Sequence, residues 1–139
     1  MSNFPKCNVL FRLFDDKLEP LEITKMLCIE PDISHKKGDP NTRITKKGKV
    51  MEFSPHSVGM WGIYAKKEEG ALLEEHIKSL LILLEPVKDK IAVLFSQGYK
   101  MDLFCGLFAQ GCPQPGVGID SSVLKRVGEL NISIEMCFY

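Results

Sequence analysis

The sequence has no surplus of charge of either sign. Eighteen Lys and Arg residues balance eighteen Asp and Glu, a formal net charge of +0 over 139 residues, so the chain as a whole projects no field that would draw in nucleic acid or an anionic membrane. Long apolar runs are missing too. Stretches such as Leu80–Leu84 fall far short of the ~18–20 residues that a membrane helix requires. Met1–Cys7 has no apolar stretch ahead of a small-residue cleavage site, which argues against a secretory signal. Cysteines with redox or metal spacing are absent. Cys7, Cys28, Cys105, Cys112 and Cys137 are an odd, scattered set with no Cys-x-x-Cys, and the step from Cys105 to Cys112 is too wide for a zinc knuckle. Free thiols in a reducing cytoplasm are the expected state.

Catalytic signatures are equally scarce. There is no Gly-x-Ser-x-Gly turn, the main local mark of an α/β hydrolase, and neither a helical histidine pair nor a calcium loop. Gly116-Val117-Gly118 precedes a predicted helix as a phosphate loop would. It lacks the Gly-Lys-Ser/Thr ending, and Asp120 would set a carboxylate where phosphate oxygens belong, so it reads as a plain turn. No catalytic residue, metal ligand or cofactor is assigned.

What is present is an ordinary globular composition, 45% hydrophobic and 26% charged, long enough for one domain over residues 1–139 with a real core. Cys7, Val9, Phe11 and Leu13 alternate as a covered strand. Pro20 suits the first position of a helix carrying Ile23, Met26 and Leu27, which must stop near Ile29 because Pro31 restricts Glu30. From Asp32 to Lys49 the chain is polar, a loop passing into ragged strands around Thr42–Thr45 and Val50–Phe53. With the strand Met60–Ala65 it reads as an irregular hairpin. The strongest pattern follows: Leu73, Ile77, Leu80, Leu84, Val87, Ile91 and Leu94 form one helical stripe, interrupted at Pro86. Gly98 closes the helix, and Tyr99–Ala109 alternates as a long strand. Asp120 caps a short helix carrying Val123, Leu124 and Val127, which Gly128 or Asn131 could end. The last strand points Ile132, Ile134, Met136 and Phe138 inward. The order β-α-β-β-α-β-α-β predicts an α+β two-layer sandwich: a ferredoxin-like β-α-β-β-α-β core with an appended αβ unit and a mostly antiparallel sheet.

The densest polar signal is Lys36, Lys37, Arg43, Lys46, Lys47 and Lys49, with Trp61 and Tyr64 behind it. Cations beside aromatics can hold single-stranded nucleic acid, but overall neutrality favours a solvated hairpin. His76, four residues from both Leu72 and Leu80, sits on the shoulder of the helical stripe, where histidines usually edge a core. Trp61 is either a core plug or a binding anchor. In Lys37-Gly38-Asp39, the glycine permits a positive φ that would hold both charges on one rim. The candidate binding set is therefore Lys37, Gly38, Asp39, Trp61 and His76. A ligand-binding or enzymatic site would require Lys37, Asp39, Trp61 and His76 to converge on one concave surface.

Several of these motifs occur in a recognisable series: Leu18-x-Pro20-x-x-Ile23-Thr24-x-x-Leu27-x-Ile29-x-Pro31-Asp32, Lys37-Gly38-Asp39, Gly59-x-Trp61 and Leu73-Glu74-Glu75-His76-Ile77-x-x-Leu80-Leu81. In this series the chain resembles the bacterial family called domain of unknown function 4279, from the first strand to the last. Glu19 stands where a shorter capping residue is common, and residues 41–57 follow no alignable pattern. The resemblance implies a small cytoplasmic bacterial domain and supplies no reaction. By analogy with other small domains, among them immunity proteins, the expectation is a non-catalytic module whose partner is another protein.

Overall fold

The computed structural model describes residues 2–139. In chain order its strands are β1 (Ser2–Asn3), β2 (Lys6–Asp15), β3 (Ile33–His35), β4 (Asn41–Ile44), β5 (Val50–Phe53), β6 (Gly59–Tyr64), β7 (Lys100–Phe108), β8 (Pro115–Gly116) and β9 (Ser133–Phe138). Its α-helices are α1 (Pro20–Leu27), α2 (Leu73–Leu84), α3 (Lys88–Ser96) and α4 (Ser121–Glu129). Five strands form one mixed sheet in the order β3-β6-β2-β7-β9, in which only the β7–β9 pair is parallel. The fold is a single α+β domain.

Alternation along β2 decides which face carries the helices. Cys7, Val9, Phe11 and Leu13 are buried, and they join Trp61 and Ile63 of β6 and Met101, Leu103, Cys105 and Leu107 of β7 in one core. Helices supply the other half. The 73/77/80/84/91/94 stripe is buried throughout, and Val87 packs against it partly exposed. Pro86 cannot donate to the carbonyl one turn back. The chain resolves this with a 3-10 turn at Glu85–Val87 between α2 and α3, so the stripe stays in phase. Glu85 there receives both Nε and Nη2 of Arg126, at 3.0 and 2.6 Å, which ties α4 to the break. Asp120 caps α4 as expected, its carboxylate accepting the Ser122 N–H at 3.1 Å.

Several local expectations require correction. The first helix ends at Cys28, left-handed with φ 57, before the constraint from Pro31 acts. In α4 the inward residues are Val123 and Val127, while Leu124 is exposed, and the left-handed residue after the helix is Asn131, with Gly128 inside it. Phe138 lies on the inward face of β9, opposite Leu107 and with its ring 5.8 Å from that of Phe4, but at the end of the strand it stays 64% exposed. The hairpin is the largest difference. The partner of β6 is the three-residue strand β3, with Ser34 opposite Trp61, whereas β4 and β5 pair only with each other.

The second face of the sheet has no helix. Arg12 lies opposite Asp102 at its centre and forms a two-pronged pair with it, Nε–Oδ1 2.8 Å and Nη2–Oδ2 2.6 Å. Its guanidinium is 4.5 Å from the ring centre of Phe104 and 5.7 Å from that of Phe14.

Candidate interaction surface

Trp61 is fully buried. Its ring meets Phe11 edge-on at 6.3 Å, and its indole N–H donates to Thr24 Oγ1 of α1 at 3.0 Å. It is a core plug with its one polar atom satisfied, and it offers no ring to a ligand. His76 is 2% exposed on α2 and faces the loop ahead of that helix. Neither ring nitrogen makes a well-formed hydrogen bond. Burial lowers its pKa from 6.5 and outweighs the nearby backbone of Ala71 and Glu68, which favours the protonated ring, so it sits neutral in the core. Lys37, Gly38 and Asp39 are together on an exposed turn after β3. The four groups required for a ligand site do not share a concave surface: two are core residues on different elements and two are on this turn.

The turn itself is tightly built. Gly38 has φ +89, a conformation that an L side chain rarely adopts. Its N–H donates to the His56 carbonyl at 2.7 Å, and the His56 N–H returns to the Asp39 carbonyl at 3.0 Å. The Asp39 carboxylate accepts the Lys36 N–H at 2.8 Å. Beside these bonds the imidazoles of His35 and His56 stack, ring centres 3.5 Å apart and planes 14° from parallel. Burial, and then the charge of His56, lower the His35 pKa. Two strands of chain, residues 35–39 and His56, are thereby clamped side by side. Asp39 is committed to this clamp; Lys37 lies outside it, 3.4 Å from Asp16.

The clamp is the base of an arm. Between it, β4 and β5 run out as a two-stranded hairpin in which no residue is buried. Asn41 faces Phe53, Thr42 faces Glu52, Arg43 faces Met51 and Ile44 faces Val50. Directly opposite residues share a face, so Met51 and Phe53 are on one side, with the Arg43 guanidinium 5.2 Å from the Phe53 ring, and Ile44 and Val50 are on the other. Ile44 is 74% exposed and Val50 59%. The tip is ordered. Thr45 and Lys49 close it through backbone and hydroxyl bonds of 2.8 and 3.1 Å, and Gly48 turns it with φ +79. Lys46, Lys47 and Lys49 crown it. The sequence pattern locates these lysines but not the four uncovered apolar side chains, whose only signal is their interleaving with cations where no core periodicity exists.

Other groups are less suited to recognition or chemistry. A cavity of about 450 Å³ lies between Asn3–Phe4, the start of α2 and Gly116–Asp120. It carries Glu74 and Asp120, and Asp120 caps its own helix, so an anion is disfavoured there. Burial pushes the Cys105 thiol up to about 12 and raises Cys7 as well, which leaves both as inert thiols. Among the described residues no cluster of His, Cys, Asp and Glu has the geometry to hold a metal ion, and no helix is long and apolar enough to cross a membrane.

Comparison with curated proteins and with solved structures gives no match. A family model does match, over residues 5–139, which takes in the core, the clamp and the arm together. The chain belongs to the family described as domain of unknown function, DUF4279.

Proposed function

We propose that the chain is a non-catalytic protein-binding module and that the β4–β5 arm is its contact element. The observation that carries this reading is that the arm exposes apolar side chains on both faces and that no residue of either of its strands is buried. A lone two-stranded hairpin is marginal in water and gains from being covered, and the hydrogen bonds at its base and tip reduce the conformational entropy it loses on docking. The alternative, an enzyme or small-ligand binder at Lys37, Asp39, Trp61 and His76, is weakened by the separation of those groups. A cytoplasmic setting is supported by five free cysteines. The strand order β3-β6-β2-β7 with antiparallel neighbours supports reading the first six core elements as ferredoxin-like, with α4 and β9 appended.

The test is affinity capture of the tagged chain from its source cells, followed by reconstitution with the purified partner. A stoichiometric protein–protein complex on size exclusion is expected. Failure of any protein to co-elute stoichiometrically would overturn the reading.

A further inference from the structure

Charge in this neutral chain is concentrated on the arm. Residues 41–53 hold four cations (Arg43, Lys46, Lys47 and Lys49) against one carboxylate, Glu52, a net +3, so the rest of the molecule is net −3. The distribution along the arm is ordered as well. The tip, Thr45–Lys49, is polar and cationic, and the apolar residues Ile44, Val50, Met51 and Phe53 lie behind it on the two strands.

We propose that the arm enters a cleft of a partner protein whose floor is acidic and whose walls are apolar. The proposal rests on the protein-binding reading and adds the chemistry of the partner. A cleft is implied because a flat surface would cover Met51 and Phe53 or Ile44 and Val50, but not both. An acidic floor is implied because the lysines lead. The strands are four residues each, which at about 3.3 Å per residue sets a depth of roughly 13 Å. The arrangement disfavours two other partners. An element that lies in a bilayer interface presents one apolar face with its charges on the other, whereas the arm divides its apolar residues between both faces. Single-stranded nucleic acid is held by stacking on aromatics, and the arm has one, Phe53, already covered by Arg43. Its three aliphatic side chains offer nothing to phosphate.

Defined probes test the chemistry by fluorescence anisotropy: a random copolymer of glutamate and tyrosine, oligothymidylate, and phosphatidylserine-containing vesicles. The full chain is expected to bind the copolymer at least tenfold more tightly than oligothymidylate or vesicles. Reversal of the tip charge (Lys46→Glu, Lys47→Glu, Lys49→Glu) is expected to weaken copolymer binding at least tenfold. The substitutions Ile44→Ser with Met51→Ser, one on each face, are expected to weaken it severalfold. Because all five side chains are solvent-exposed, the thermal midpoint should stay unchanged and serves as the folding control. Equal or tighter binding of oligothymidylate or vesicles would overturn the proposal, as would copolymer binding indifferent to charge reversal. The captured partner separates the two levels. If it is lost by the apolar variant but held undiminished by the charge-reversed one, the acidic cleft is wrong and protein binding stands. If no stoichiometric partner exists, both fall.

Discussion

His76 shows what a single buried residue contributes. A buried imidazole with no well-formed hydrogen bond at either nitrogen is a cost in every ionisation state and a larger one when protonated. Burial lowers the folded pKa of His76, and of His35, below 6.5, so the unfolded chain takes up protons first as pH falls. Stability is therefore full above about pH 6.5 and declines as the pH drops through that value. Replacing His76 by leucine is expected to raise stability at pH 7 by about 1 kcal/mol and to flatten the decline between pH 7 and 5, as read by urea melts across pH. Trp61 is the opposite case, a large side chain fully paid up in contacts. Trp61→Ala is expected to cost about 3–5 kcal/mol, whereas Trp61→Phe should lose mainly the Thr24 bond. Purified partner should bind a folded Trp61→Phe protein unchanged, since the ring never reaches the surface. The dual reading of this tryptophan in the sequence could not be resolved there: local pattern places it on a strand but does not say which layer covers the strand.

At the scale of elements, legibility followed coverage. The α2–α3 stripe is readable because six buried side chains and the partly exposed Val87 share one face, and β2, β7 and α4 are readable for the same reason. β3 is not. It is three residues, two half-buried and one exposed, and it is held by pairing to β6, which leaves no hydrophobic period in its own sequence. The strands of the arm are legible, around Thr42–Thr45 and Val50–Phe53, but their separation from the main sheet is not, because a hairpin with neither face covered has no pattern that separates inside from outside. Its clamp joins residues about twenty apart, His35 to His56, and no local motif announces such a contact. Two outcomes follow from these elements. Asp120→Ala removes the side-chain cap of α4 and should cost about 1 kcal/mol in chemical denaturation. Arg12→Ala leaves Asp102 without its partner on the sheet face and should cost at least about 2 kcal/mol, while Arg12→Met with Asp102→Leu recovers most of that loss.

For the whole molecule, the neutral total conceals a division into a body of net −3 and an arm of net +3. The body holds the core and all the helices, and the arm adds nothing to that core. Removing residues 42–52 and bridging the gap with two glycines is therefore expected to leave the thermal midpoint within a few degrees. Metal and disulfide play no part in this account: reductant and chelator should leave the midpoint unchanged. The central claim is that the arm is where a partner protein docks. Hydrogen–deuterium exchange of the chain, alone and with its captured partner, tests it most directly. Free, the amides of residues 41–53 should exchange far faster than those of β2 and β7; bound, new protection should concentrate in 41–53. Protection that appears on the open sheet face around Arg12 and Phe104, with the arm still exchanging freely, would contradict the claim.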